Sequence, residues 1–353
     1  MGRDITRRRF LGSAAAVGGI VLLDACGATA PVSASAAASA TVTATPAPTK
    51  VAVKAAWVAL TSNQMILPVA KEAGYFEKYG VDMDLSQING SSTAVPALIA
   101  GNIGVASFAG SATVTAQAGG ADIVMFAGFV NTAIFRVIAQ PTYSSISELK
   151  GKTIAVTRIG NADYFAWQSI AAKQGWNMSD LDFVNGNDVN GQVTLLSSKK
   201  VDAIAVSPPN NILGTKAGGK EIFDTATLKE PEQNVGLAAT RAYVAQNRAA
   251  VLGVTKASIE AIARWKKDPA FVKGVIGTYL KTTDQDFIDV GYSAYTDVFP
   301  QAPYPTVPGL QRVIDQVTTQ NAKAKDLKPD SMIDNSIVKE LEDSGFIKQI
   351  YGK

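Results

Sequence analysis

Ser91, Ser92 and Thr93 stand just before the apolar residues Val95, Leu98 and Ile99, and Ser111 and Thr113 follow the apolar segment Ile103 to Phe108. Hydroxyl residues at such places open helices, because their side-chain oxygens can take the first free backbone N–H groups. A helix start also offers unpaired N–H donors and the positive end of the helix dipole. Two such starts at one edge of one sheet would form a receptor for a small polar or anionic ligand. Ordinary caps on core helices are the alternative, and the pair is more telling than either member. Gln64, Asn161, Asp163 and Asn210 add amides and a carboxylate on loops that follow apolar segments. Arg158 adds a cation able to pair with a sulfonate, carboxylate or phosphate, unless it simply faces water.

The composition points away from catalysis. The 353-residue chain has no histidine and one cysteine, Cys26. A histidine-dependent triad, a histidine-ligated metal site and an intramolecular disulfide are therefore excluded. No catalytic residue, metal or cofactor is expected, although carboxylates, lysines and tyrosines can still do chemistry. Hydrophobic residues at 47% and charged ones at 18% allow a large core, and the length suits about two domains. The net charge is +3, but the first 25 residues carry four arginines against two aspartates. What remains is close to neutral, with no basic field for nucleic acid.

The elements that must position these residues can be read from periodicity. Val51 to Trp57 alternates as a strand, followed by the loop Leu60 to Gln64 and a helix over Met65 to Ala73 that ends at Gly74. Gly80 turns the chain into a second strand, Val81 to Ile88, so this stretch reads as a βαβ unit of a parallel sheet. Further on, Lys152 to Thr157 is a strand, Ala162 to Gln174 a helix, Gln192 to Ser198 helical, and Val201 to Val206 a strand ending in Ser207-Pro208-Pro209-Asn210-Asn211. Ligands of parallel sheets sit outside the carboxyl ends of the strands. The tail from Lys256 is mainly helical, with Ile259, Ile262 and Ala263 on one packing face.

The N-terminus reads as an address. Thr6-Arg7-Arg8-Arg9-Phe10-Leu11 resembles the twin-arginine export signal, and the apolar run Ala14 to Leu23 is too short for a stable membrane span. Leu23-Asp24-Ala25-Cys26 resembles a bacterial lipoprotein cleavage box, departing from it at Asp24, and makes Cys26 the expected lipidation site. Residues 27–50 are almost all Ala, Ser, Thr, Pro, Val and Gly, a composition that cannot offset ordering entropy and reads as a tether. The protein is thus expected outside the cytoplasm, anchored to the outer face of the cytoplasmic membrane.

Several motifs then fall in a recognisable order. AGYFEKYGVDMDL (73–85), GSSTAVPALIAGNIGVASFAGS (90–111), the Ile146 to Val156 segment, GNADYFA (160–166) and MIDNSIVKELEDSGFI (332–347) resemble the solute-binding proteins of the nitrate, sulfonate and taurine class of ABC importers, a family that also includes binders of thiamine precursors and riboflavin. Gly104-Val105 stands where many members have an acidic and an apolar residue. The resemblance implies an α/β fold of the periplasmic-binding-protein type II, two α/β lobes around a cleft joined by two hinge crossings. The implied division is a signal peptide at 1–25, lipidated cysteine and tether at 26–50, the first part of lobe 1 at 51–139, lobe 2 at 140–237, and the rest of lobe 1 with C-terminal helices at 238–353. The crossings are expected between Val137 and Gln140 and near Val235 to Thr240.

On this resemblance the expected function is capture of a small solute, sulfonate-, taurine- or nitrate-like, for delivery to an ABC permease and its ATPase by a monomeric receptor. The expected ligand-binding residues are Gln64, Ser91, Ser92, Thr93, Ser111, Arg158, Asn161, Asp163 and Asn210. Phe108, Phe129, Tyr164, Phe165 and Trp167 supply aromatic surface near the same loops. If two of them line the pocket, a stacked aromatic ligand of the vitamin type gains ground; otherwise they are core. A sensor's binding partner and an enzyme remain the other classes.

Overall fold

The computed structural model describes residues 50–352. The expected signal segment, Cys26 and all of the tether except Lys50 lie outside them. The described chain builds two five-stranded sheets. The first contains β1 (Val51–Trp57), β2 (Val81–Gln87), β3 (Val105–Phe108), β4 (Ile123–Thr132) and, from much later in the chain, β10 (Pro231–Thr240). The second contains β5 (Arg136–Ala139), β6 (Thr153–Val156), β7 (Asp182–Asn185), β8 (Ala203–Val206) and β9 (Lys220–Asp224). Their spatial orders are β2-β1-β3-β10-β4 and β7-β6-β8-β5-β9.

Both sheets are mixed. β1 runs parallel to β2 and β3, and β6 runs parallel to β7 and β8. β10 is antiparallel to β3 and β4, and β5 is antiparallel to β8 and β9. The two reversed strands are the ones that enter a sheet from the other lobe. β4 leaves the first sheet toward the seam, so β5 must begin at the seam and run away from it. β9 and β10 repeat this on the return.

The crossings occupy residues 133–135 and 225–230, between β4 and β5 and between β9 and β10. The expected crossings at 137–140 and 235–240 instead fall within or at the end of strands. The lobe boundaries at 139/140 and 237/238 shift accordingly, because β5 already pairs in the second sheet and β10 pairs in the first along its length. Short apolar strands give no periodic mark of where one sheet is left and the other joined.

β1 shows why the local sequence folds as it does. Its last three residues, Ala55, Ala56 and Trp57, are all buried, as suits an inner strand with helices on both faces. β2 lies at the edge and alternates buried Val81 and Met83 with exposed Asp82 and Asp84. The helix Ile66–Glu72 stops at Gly74, whose φ of 70° suits glycine. The long helix Arg248–Lys267 packs Val251, Val254, Ile262 and Trp265 into the lobe 1 core with Phe76. Among the described residues no helix is long and apolar enough to cross a membrane.

Apolar contacts also tie the lobes together. Phe165, from the lobe 2 helix Ala162–Gln174, is buried in a lobe 1 cluster with Phe108, Leu310 and Val313. Burying such a ring contributes about 2–3 kcal/mol, whereas the exposed Lys216–Asp284 ion pair between the lobes is screened by solvent.

In the first sheet, a methyl group on Gly236 of β10 would collide with Ala127 O and Met125 Cε on β4. Gly236→Ala is expected to lower the unfolding free energy by about 1–3 kcal/mol. Gly274→Ala, in the helix Pro269–Tyr279 with open space around it, should leave stability unchanged or raise it. Urea denaturation of the two variants checks both.

Candidate functional site

The carboxyl ends of six strands meet at the seam. In lobe 1, β1 leads into Val58 to Gln64, β2 into Asn89 to Ser91, and β3 into Ala109 to Ser111. In lobe 2, β6 leads into Thr157 and Asn161 to Asp163, β7 into Asn187 to Asn190, and β8 into Ser207 and Asn210. These loops enclose a cavity of about 260 Å³. At roughly 30 Å³ per water, that is the space of about nine waters, a fit for a small solute. About half of the lining residues carry amides or hydroxyls, set among apolar surface, with Asp163 and Asp188 as the carboxylates and Phe135 as the aromatic; among the described residues no lysine or arginine lines it.

The lobe 1 wall is held by a relay of buried polar groups. Thr61 Oγ1 donates to Asn63 Oδ1, and Asn63 Nδ2 donates to Asn234 Oδ1 at 3.4 Å. Asn234 Nδ2 continues to Glu232 Oε1 at 3.1 Å. Burial is the main influence on Glu232 and raises its carboxyl above the ordinary range. Because β10 is the strand that re-enters lobe 1, this relay ties the first cleft loop to the return crossing.

Asp163 organises the lobe 2 wall. It accepts from Thr157 N at 2.5 Å, Thr157 Oγ1 at 2.8 Å and Gln192 Nε2 at 3.0 Å. Gln192 Nε2 also donates to Ala155 O at 3.0 Å, and the buried Oε1 of the same amide has no protein partner. Burial pushes the Asp163 carboxyl up to about 6, outweighing the Thr157 hydrogen bonds that act in the opposite direction. Asp188 caps the helix Val189–Ser197 by accepting from Gly191 N at 2.8 Å.

Of the expected ligand residues, Gln64, Ser91, Ser111, Asn161, Asp163 and Asn210 line the cavity together. Ser92, Thr93 and Arg158 do not. Successive helical residues turn by about 100°, so Ser92 and Thr93 point to solvent from the first turn that Ser91 opens. Arg158 is exposed, and its Nη1 donates to Ser92 Oγ at 3.2 Å, bridging lobe 2 to lobe 1. The expected anion partner is thus a rim contact. Asn210 Nδ2 makes a second bridge, to Leu60 O at 3.3 Å.

The hydroxyl caps are also revised. Gly90 and Ala109 hold the N-cap positions of helices Ser91–Ile99 and Gly110–Ala118, and neither start has a side-chain cap. Of the five flagged aromatics, Phe108, Phe129, Phe165 and Trp167 are buried in the core, and Tyr164 packs against Phe165 and Phe183. None lines the cavity. Sequence reasoning missed Asn63, Phe135, Asp188, Gln192 and Asn234. Asn63 was adjacent to a flagged residue, and the Asn-Asp-Val-Asn run at 187–190 carried a cap signal. Phe135 sits in the first crossing and Asn234 in β10 shortly after the return crossing, and neither has a local mark.

The Asp163 carboxyl gives a signed pH dependence. Its folded value lies above the ordinary 3.8, so the folded protein binds that proton more tightly than the unfolded chain does. Its contribution favours folding at acid pH and is lost as pH rises from about 4 to about 6, by on the order of 3 kcal/mol. Glu232 acts in the same direction. Denaturation curves between pH 4 and pH 7 should therefore show a pH-dependent loss in the native protein that is smaller in Asp163→Asn, where Glu232 still contributes; an identical slope in the two would refute the assignment.

Comparison with known proteins places this cleft. Residues 61–271 match the family model described as NMT1/THI5 like. A protein of Brucella abortus named only as a binding protein is 28% identical over 167 residues, 47% of this chain and 50% of that one. The chain therefore aligns with about half the length of the curated relatives it matches. The periplasmic nitrate-binding protein NrtA of Synechocystis PCC 6803 superposes with a TM-score of 0.70 at 15% identity, over 84% of this chain and 90% of that one. The periplasmic aliphatic sulphonate-binding protein SsuA of Escherichia coli does so with a TM-score of 0.63 at 18% identity, over 80% and 91%. At these identities the likeness establishes the fold, the two-lobed periplasmic-binding-protein architecture expected from the motifs. With a family match across well over half its length and that fold around the cleft, the chain belongs to the NMT1/THI5-like family.

Proposed function

We propose that the protein is the extracytoplasmic receptor of an ABC importer, anchored through Cys26, which captures a small polar solute between its lobes and delivers it to a permease. The observation that carries this reading is the cavity itself. It lies between two sheets at their strand ends, is lined by amides and hydroxyls from both lobes, and is bridged by Asn210–Leu60 and Arg158–Ser92. Such a site can bind without reacting. Its carboxylates are engaged by backbone and amide donors, and the chain has no histidine to act as a general base.

The export signal and tether support delivery at a membrane, since an anchored domain stays close to its permease. A sulfonate-, taurine- or nitrate-like solute is supported by the motif order and by the names of the structural relatives. A stacked aromatic vitamin has less support, because Phe135 is the aromatic residue at the cavity.

The test combines binding with uptake. The full chain, purified without denaturation, should retain a solute or show a thermal shift with a member of a panel of sulfonates, nitrate, amino acids and pyrimidines. Asn210→Ala should weaken that binding by about tenfold, as one hydrogen bond and one lobe bridge are lost. Cells lacking the gene should lose energy-dependent uptake of the same solute. Unchanged uptake would contradict the import reading.

A further inference from the structure

The lobe 2 helix Ala162–Gln174 does two things along its length. Its first turn, with Asn161 before it, supplies Ala162 and Asp163 to the cavity. Just beyond, Phe165, Gln168 and Ser169 stand at i, i+3 and i+4 and so share one face. That face meets the lobe 1 helix Val307–Thr318. Phe165 is buried among Leu310, Val313 and Ile314, and Gln168 Nε2 donates to Thr319 Oγ1 at 3.0 Å. A shift of the lobe 2 helix against its lobe 1 partner therefore moves the cavity wall with it.

The polar centre of this contact is the buried Ser169. Its hydroxyl accepts from Arg312 Nη2 at 2.9 Å and from Gln316 Nε2 at 3.3 Å, and donates to Phe165 O at 3.3 Å. Its one donor and both acceptor sites are thus in use. The same Nη2 of Arg312 also donates to Glu230 Oε2, in the return crossing. Glu230 O in turn accepts from Thr132 Oγ1 at 3.2 Å, where β4 leaves for the outgoing crossing. One guanidinium nitrogen therefore joins the hinge to the helix that walls the cavity. Arg312 Nε is buried with no partner among the described residues. A part-buried ion pair with a donor left over adds little net stability, so its contribution is to geometry.

We propose that Arg312 and Ser169 are positioning residues of the receptor, a clamp that fixes the lobe 2 cavity wall and sets how readily the cleft opens without touching the solute. This rests on the receptor reading above. Neither residue lines the cavity. Moving the lobe 2 helix off Val307–Thr318 takes the Ser169 hydroxyl from two donors at once, one of them charged. While the clamp holds, Asn161, Ala162 and Asp163 stay opposite the lobe 1 loops. The clamp acts on any solute alike, so it governs retention and leaves chemical choice to the cavity.

The test compares the full native chain with Ser169→Ala and Arg312→Lys. Alanine suits a helix interior, so the first variant removes the hydroxyl without disfavouring the helix. The second keeps a charge opposite Glu230 but loses the planar fork. Each protein is purified without denaturation, and the native chain is also stripped and refolded. Native mass spectrometry follows the co-purified mass during dialysis, and spin labels at the exposed positions Ile99 and Val184 report the interlobe distance. As purified, both variants should give a longer and broader distance distribution than the native chain and lose the co-purified mass about tenfold faster. A lower urea midpoint with native distances and native retention would mark a merely structural contact and overturn the inference. Native behaviour in all three measurements would also overturn it. Either result leaves the receptor reading intact. A native chain that retains no solute and shows one distribution before and after stripping would overturn the receptor reading and the inference with it.

Discussion

A strand that passes from one lobe to the other has to run away from the seam, and the rest of the structure depends on that constraint. Because β5 and β10 take the reversed direction, the remaining strands of each sheet can point their carboxyl ends inward. Six strand ends then supply loops to one space, and the helices that follow present their amino ends to it. Helix starts and strand ends carry backbone groups that regular structure leaves unpaired. A cavity built from them offers polar groups without requiring any unusual side chain.

The forces that shut the lobes differ from those that would hold a solute. Phe165 inserts into the lobe 1 core, and Ile212 and Leu213 of the lobe 2 helix Asn210–Lys216 pack against lobe 1 residues. Tyr295 OH donates to Pro208 O at 3.1 Å, and Arg312 Nη2 donates to Ser169 Oγ at 2.9 Å, both from the C-terminal helices to lobe 2. These contacts lie outside the cavity and are mainly apolar or geometric. Inside it, direct bridges such as Asn210 to Leu60 are few. Packing can therefore favour the closed form without identifying a cargo, whereas the buried amides of Gln192 and Asn63 are engaged in holding the cleft walls in place.

Much of the scaffold was legible in the sequence, and the reason is local. β1 coincides with its alternating residues Val51–Trp57, and the helix Ala162–Gln174 has the expected bounds. Gly74 and Gly80 mark turns because their positive φ suits glycine. By contrast, β7 and β9 are four and five residues long and partly exposed, too short to show a period. The crossings were misplaced for a related reason, since leaving one sheet for another is a tertiary event. In the cavity, loop position alone brought in Gln64, Ser91, Ser111, Asn161, Asp163 and Asn210. It could not tell that Ser92 and Thr93 rotate outward, that Arg158 reaches a neighbouring serine, or that Asn234 arrives from a strand some 170 residues away from Asn63.

The central claim is that two lobes close over a small solute, and an interlobe distance tests it most directly. Ile99 on lobe 1 and Val184 on lobe 2 are exposed positions suited to spin labels, introduced as cysteines in a Cys26→Ser background. Pulsed electron–electron resonance should give a narrow, short distance for the protein with its co-purified solute. A longer and broader distribution should follow when the solute is stripped and the chain refolded. The same distribution in both samples would contradict the account.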